Sequence, residues 1–157
     1  MLLKATESVL KKQGWQFHDL GNATLRIDIK GQTANWITIV KCVEEYQQFV
    51  VYSMCSNKPP VQKYSVMQEF LTRANFGLKF GNFEFDLQDG EIRFKTSIQF
   101  AGEVQVESMI EQCLLINIMT MERYLPGILQ VIFTEIDPQA AIASIEASEA
   151  DKLSSET

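Results

Sequence analysis

The fold is decided by residues 83–96, which read FEFDLQDGEIRFKT. Apolar and charged residues alternate on both sides of Asp89-Gly90, a pair favoured in the two-residue turn of a β-hairpin. Pairing outward from this turn brings apolar residues together on one face and opposite charges together on the other. The predicted partners are Leu87 with Ile92, Phe85 with Phe94, Asp86 with Arg93, and Glu84 with Lys95. Because both faces agree on one register, we predict a β-hairpin here.

Three further strands are predicted before this hairpin. Residues 25–30 alternate between apolar and charged side chains, as expected for a strand with one face in water. Residues 36–40 and 49–54 carry large apolar groups on both faces, which is typical of strands in the middle of a covered sheet. One set of helices does not easily cover two faces. We therefore expect a second subunit or a bound partner to cover the second face.

The helical segments are marked by apolar residues at spacings of three and four. They are predicted at residues 2–13, from Pro59-Pro60 to about residue 75, and from about residue 103 to 123. Pro126-Gly127 is expected to interrupt the long helix, and the apolar run 128–133 follows. Together with the strands, these segments predict an α+β domain in which helices pack on an antiparallel sheet.

At 157 residues the chain fits one domain, which we assign to residues 1–134. Residues 135–157 hold six acids and one base and form an acidic C-terminal tail. In this tail Asp137-Pro138 opens a weak helix that is predicted from Gln139 to about Glu149. The net charge of −6 thus lies mainly in the tail. Without a basic patch in the body, we expect no binding to nucleic acid.

The composition indicates a soluble, cytoplasmic protein. Apolar runs such as Cys113–Ile116 are far shorter than the roughly 20 residues of a membrane helix, so no membrane association is expected. The charged N-terminal residues do not resemble a signal peptide. Three widely spaced cysteines, at positions 42, 55 and 113, do not form a disulfide framework and fit a reducing cytosol.

The sequence contains no recognisable catalytic or cofactor-binding arrangement. His18 is the one histidine and no two cysteines are closely spaced, so a zinc site of usual spacing cannot be built. Gly77 and Gly81 lead into a strand rather than a helix N-terminus, which argues against a phosphate-binding loop. No local pattern sets a base beside a nucleophile. We predict a protein that is not an enzyme and uses no metal or cofactor.

The order of the predicted elements, αβββαββα, resembles the type III secretion chaperone-like fold. Within that fold, residues 2–124 look like the YbjN-type proteins, bacterial domains described as proposed regulators of sensory transduction. The similarity rests on residues 71–85, LTRANFGLKFGNFEF, followed by the Asp89-Gly90 hairpin and Ile92-Arg93-Phe94. The resemblance implies a small, acidic, cytosolic and often dimeric protein that binds other polypeptides and performs no chemistry.

We therefore expect a non-enzymatic protein-binding domain, chaperone-like or regulatory, that forms a homodimer and binds a polypeptide partner or client. One sheet face and the long helix would form the interface. The residues predicted there are Trp36, Tyr52, Met121, Leu125 and Phe133. The run from Leu125 to Phe133 could also fold inward as core. Two other functions stay open: a small-molecule-binding or enzymatic domain with a sheet–helix pocket, and a structural subunit of a larger complex.

Overall fold

The computed structural model describes residues 1–155, with side chains described for residues 1–147. The helices are α1 (Leu2–Lys12), α2 (Tyr64–Gly77), α3 (Val106–Phe133) and α4 (Pro138–Ser155). The strands are β1 (His18–Asp19), β2 (Thr24–Lys30), β3 (Asn35–Val43), β4 (Gln48–Met54), β5 (Asn82–Phe85) and β6 (Ile92–Gln99). The predicted α+β class with an antiparallel sheet is confirmed. The short strand β1 and the helix α4 come in addition to the expected order αβββαββα.

The strands form one antiparallel sheet in the order β1-β2-β3-β4-β6-β5. From β1 to β4 each strand pairs with its sequence neighbour, and the chain then crosses over through α2, so that β6 pairs with β4. This leaves β5 at the edge. There the Asn75 side chain accepts the Phe83 backbone N–H at 2.6 Å and donates to the Phe83 carbonyl at 3.1 Å. Asn75 thus blocks part of this edge, as a neighbouring strand would.

The predicted hairpin forms, but its register differs from the prediction by two residues. The observed pairs are Asn82 with Lys95, Phe83 with Phe94, Glu84 with Arg93, and Phe85 with Ile92. Residues 86–91 therefore form a longer loop than the expected two-residue turn. Asp86 and Asp89 stabilise this loop, because each carboxylate accepts the backbone N–H two residues further along, at 2.8 and 2.9 Å. A shift of two residues keeps the side chains that remain in the two strands on their predicted faces.

The helices pack against one face of the sheet, which we call the helix face. Alternate strand residues point to it and form two apolar clusters with the helices. The first cluster includes Phe70 of α2 and Ile128 of α3, and the second includes Leu10 of α1 and Phe49 of β4. The core formed by the described residues therefore lies on this side of the sheet.

A buried polar layer stands between the two clusters. The Thr38 and Ser53 hydroxyls are 2.9 Å apart, and the Trp36 indole N–H donates to Ser53 Oγ at 3.0 Å. Asn117 of α3 completes the layer, because its Oδ1 accepts from Ser53 Oγ at 2.6 Å. Its Nδ2 lies 3.1 Å from two strand carbonyls and from the Thr96 hydroxyl. These bonds hold α3 in one position on the sheet.

Helix α3 continues through Pro126 and Gly127, so the predicted interruption there is wrong. Proline removes one backbone hydrogen bond, but Leu125 and Ile128 on either side are buried, and their packing compensates for the loss. Gly127 allows a close approach of helices: a Cβ atom there would lie 2.6 Å from Phe70 Cζ and 2.7 Å from Ile145 Cδ1. Most of the apolar run in this part of α3 is therefore core.

Helix α4 packs on α2 and α3. Asp137 caps its start, as predicted, because its carboxylate accepts the Ala140 backbone N–H at 3.2 Å. Ala141, Ile142 and Ile145 are buried in the first cluster. Residues on both sides of the boundary predicted after residue 134 therefore share one core. The side chains of the predicted tail after residue 147 lie outside the described part of the chain.

Candidate docking surface

The sheet has a second face, opposite the helix face, that no helix in the described part of the chain covers. We call it the open face. It consists of the strand residues that alternate with those of the helix face. Its apolar centre is formed by Ile37, Ile39, Val50, Tyr52 and Met54. All five are half-buried, and none belongs to either core cluster.

Strand pairing makes this apolar centre continuous. Ile37 pairs with Met54, and Ile39 pairs with Tyr52, between β3 and β4. Val50 lies two residues before Tyr52 on the same face of β4. Directly paired residues have Cβ atoms about 4.5–5.5 Å apart, so these side chains shield one another from water. Together they still present one apolar patch to solvent.

Basic side chains surround the apolar centre. Arg26 of β2 pairs with Ile39, and Lys95 of β6 pairs with Tyr52, so the two bases lie on opposite sides of the patch. The bases on the strands of the open face are Arg26, Lys30, Lys41, Arg93 and Lys95, and the acids on these strands are Asp28 and Glu84. Two further acids, Asp86 and Glu91, lie just beyond the ends of β5 and β6, beside Glu84 and Arg93. These bases are dispersed along the chain, and only strand pairing brings them together.

The two acids on the strands of the open face are already bound by neighbouring bases. Arg26 Nη2 lies 2.7 Å from Asp28 Oδ1. The Glu84 carboxylate accepts from Arg93 Nε at 2.9 Å and from Lys95 Nζ at 3.1 Å. Both partners of each pair lie on the open face, so the ion pairs do not change its net charge. The strands of this face therefore carry a surplus of positive charge.

That surplus includes two lysines that are free to meet a partner. Lys30 and Lys41 are exposed and form no ion pair among the described residues. Lys41 pairs with Val50 across β3 and β4 and so stands directly beside the apolar centre. On the other side, the Arg93 guanidinium lies 4.3 Å from the centre of the Tyr52 ring. Positive charge thus reaches the rim of the patch from three strands.

The structure separates the five residues predicted for an interface. Trp36, Met121 and Leu125 lie on the helix side, and each has at most 2% of its surface exposed. They are core residues in this chain rather than surface residues. Tyr52 lies in the centre of the open face, and Phe133, at the end of α3, is 68% exposed. Apolar character alone did not reveal which side of a strand or helix each residue occupies.

Among the residues whose side chains are described, no titratable groups are clustered as a metal site, and the three thiols are buried. Within the part of the chain that the structure describes, no three His, Cys, Asp or Glu side chains are grouped to hold a metal ion. Cys42, Cys55 and Cys113 are buried, as predicted, and desolvation raises the pKa of each thiol, that of Cys113 to about 11. They therefore stay protonated near neutral pH. His18 is exposed, and its Nε2 lies 3.8 Å from Asp28 Oδ2.

A groove of about 510 Å³ lies between the end of α1 and the start of α3. Its apolar lining is Val9, Val104 and Val106. Its polar side chains bind each other: Lys12 Nζ lies 2.5 Å from Glu107 Oε2, and Gln13 is hydrogen-bonded to Glu111. The hydrogen bond from Lys12 lowers the pKa of Glu107. This groove lies on the surface between two helix ends, not between the helices and the centre of the sheet.

Among the described residues, no helix combines the length and the apolar character that crossing a bilayer requires. No family model matches the sequence, and no curated protein matches it.

The fold does resemble a solved structure. The crystal structure of YbjN from E. coli, a proposed transcription regulator, superposes with a TM-score of 0.58. The two sequences are 13% identical, and the match covers 79% of this chain and 91% of that one. At this identity the similarity concerns the fold alone. The chain has the YbjN-type fold that its element order and hairpin predicted.

Proposed function

We propose that this protein is a non-enzymatic binding domain, chaperone-like or regulatory, that holds another polypeptide on its open face. The observation that carries the proposal is the apolar centre of that face, which the described helices leave uncovered. Burial of apolar surface contributes about 25 cal/mol per Å². Apolar side chains of a partner would therefore be held there by the same force that holds the helices on the other face.

The fold similarity supports a binding role. The solved relative is described as a proposed transcription regulator, and a regulatory role for this chain rests on similarity of fold alone. The chaperone-like role rests on the resemblance to secretion chaperones. We place the protein in the cytoplasm, because its three buried cysteines are free thiols, which suits a reducing compartment.

Selection of a displayed library of random peptides against the purified protein tests this proposal. We expect the selected peptides to bind the wild type and to lose roughly tenfold or more in affinity for the Ile39→Asp variant. Tyr52→Ser is a milder change on the same face, in case Ile39→Asp does not fold. Met119→Asp, on an exposed position of α3, is the matched control and should leave affinity unchanged. Peptides that bind all four proteins equally, or a library without binders, would contradict the proposal.

The alternative, a small-molecule-binding or enzymatic domain, is favoured by the groove between α1 and α3. A small molecule that raises the melting temperature of the wild type, and not that of a Val106→Arg variant, would support it. A screen without such a molecule would leave the open face as the better candidate.

We also propose a homodimer with Phe133 in its interface, since this large apolar side chain is exposed at the end of α3. Light scattering over a concentration series should then give about twice the 17.9 kDa of the chain. A mass of one chain at every concentration would contradict the dimer.

A further inference from the structure

We propose that the occupant of the open face is an acidic amphipathic helix of another protein. Its apolar side would cover the centre of the face, and its carboxylates would meet the surrounding bases. This inference rests on the proposed function, because it names the chemistry of the partner at the same surface. Charge, dimensions and the composition of the patch each support it.

The charge of the face differs in sign from that of the whole chain. Bases outnumber acids five to two on the strands of the open face, with Asp86 and Glu91 just beyond the hairpin end, although the complete chain carries a net charge of −6. The two acids are bound by neighbouring bases, so Lys30 and Lys41 remain for a partner. Complementary charge speeds the encounter with the right partner and selects against wrong ones. A partner with carboxylates at the rim of the patch is therefore favoured.

The same charge argues against a second copy stacked on this face. In a two-fold symmetric contact the same surface occurs on both sides. Lys41 and Lys95 of one protomer would then approach the bases of the other, and like charges across an interface oppose association. The open face is consequently suited to a different protein, and the dimer proposed above uses the end of α3 instead.

The dimensions of the patch fit a helix. Neighbouring strands lie about 4.8 Å apart, so β2 and β6, with β3 and β4 between them, are about 14 Å apart. A helix with its side chains is about 10–12 Å wide. Such a helix, lying along β3 and β4, would cover Ile39 and Tyr52 and place side chains from its two flanks near Arg26 and Lys95. Helices already cover the opposite face of the sheet in a comparable way.

A nucleic acid is less well matched to this surface. The centre of the patch is mainly aliphatic, and Tyr52 is its one aromatic side chain. The Tyr52 ring is already in contact with the Arg93 guanidinium, which competes with the stacking of a base. The negative charge of the rest of the chain would also repel phosphates.

The experiment uses two fluorescein-labelled peptides that differ only in the sign of their charge. Both carry leucines at helical spacing, with glutamate at the flanking positions in one and lysine in the other. Fluorescence anisotropy with the full chain should show roughly tenfold or greater preference for the glutamate peptide, weakening as salt is raised. Circular dichroism should show that the bound glutamate peptide is helical.

Two double variants locate the preference. Lys41→Glu with Lys95→Glu should remove most of the preference for the glutamate peptide. Lys4→Glu with Lys11→Glu makes the same change of net charge on exposed positions of α1 and should leave the preference intact. Unfolding in urea confirms that both variants are folded. Equal loss in the two variants would overturn the inference, since it would reflect net charge alone.

The other outcomes separate this inference from the proposed function. Suppose that the lysine peptide binds as well as or better than the glutamate peptide, and that Ile39→Asp abolishes binding. The proposed partner chemistry is then wrong, but the open face is still the docking surface. If neither peptide binds and no displayed peptide depends on Ile39, both proposals fail. If labelled single-stranded DNA binds more tightly than the glutamate peptide, and the Lys41→Glu, Lys95→Glu variant loses this binding, the proposal of a helical partner is overturned in favour of nucleic acid. A solution mass that falls to one chain in Tyr52→Ser would identify a second copy instead.

Discussion

Gly127 lies where α2, α3 and α4 meet, and an added Cβ would fall within 2.7 Å of Phe70 Cζ and Ile145 Cδ1. We expect Gly127→Ala to lower the free energy of unfolding by about 1–3 kcal/mol, because neither helix can move away without losing packing. Gly77→Ala is the matched control: no atom lies within 4 Å of its added Cβ. Urea unfolding of both variants measures the difference. Equal stability of the two variants would mean that the three helices adjust freely.

Asn117 is the buried polar residue on which the layer between the two clusters depends. Asn117→Leu would leave the Ser53 hydroxyl and the strand carbonyls without their partner. We expect a loss of roughly 2–4 kcal/mol in the free energy of unfolding, since unsatisfied buried polar groups are costly. Gln112→Ala, an exposed position of the same helix, should change it by less than about 0.5 kcal/mol. A Leu variant as stable as the wild type would show that water or repacking replaces the network.

Cys113 makes stability depend on pH in the alkaline range. Burial raises its pKa from the ordinary 9.0 to about 11 in the folded protein. The unfolded chain loses this proton first, so the contribution is complete below pH 9 and is lost as the pH rises through about 11. Urea unfolding between these values should show a shallower decline for Cys113→Ala than for the wild type. Parallel pH curves would mean that the thiol is no more buried than in the unfolded chain.

At the scale of elements, α3 contributes both core and surface. Leu125 is 2% exposed in the first cluster, whereas Phe133 is 68% exposed. We expect Leu125→Asp to unfold the protein at room temperature, because it buries an unpaired charge. Phe133→Asp should leave the free energy of unfolding within about 0.5 kcal/mol of the wild type.

Circular dichroism and light scattering distinguish these effects. The folded Phe133→Asp variant should have the mass of one chain if the proposed dimer uses this residue. A folded, dimeric Phe133→Asp protein would move the dimer contact elsewhere. A folded Leu125→Asp protein would contradict the core position of Leu125.

The hairpin shows how far local patterns lead at this scale. Alternation around Asp89-Gly90 correctly predicts two strands and the faces of the side chains that lie in them. The predicted loop length was wrong, because the carboxylates of Asp86 and Asp89 accept backbone N–H groups and stabilise a longer loop than the two-residue turn. Likewise Pro126 indicates a break, but the helix is maintained by burial of its neighbours in contacts with distant residues.

At the scale of the whole molecule, α4 tests where the domain ends. A chain ending at Thr134 loses Ala141, Ile142 and Ile145 and exposes the surfaces of α2 and α3 that they cover. We expect its free energy of unfolding to fall by at least about 3 kcal/mol, or the chain not to fold. A chain ending at Ala147, which retains these three residues, is the control. If the full chain and both shortened chains were equally stable, the segment after residue 134 would add nothing to the core and would be the tail that its acidic composition suggested.

The sequence by itself determined the α+β class, the order of the main elements, the faces of the hairpin, the burial of the cysteines and the surplus of apolar side chains on β3 and β4. These follow from short-range periodicity, which is set by backbone geometry. Tertiary structure alone decided which of these apolar side chains are core and which are surface. Trp36 and Tyr52, for example, have similar sequence environments but point to opposite faces of the sheet. It also decided the charge of the open face. Its bases are spread from Arg26 to Lys95, and they meet only because β6, after a long crossover, pairs with β4. Pairing between strands so distant in sequence depends on the whole core, and no local pattern encodes it.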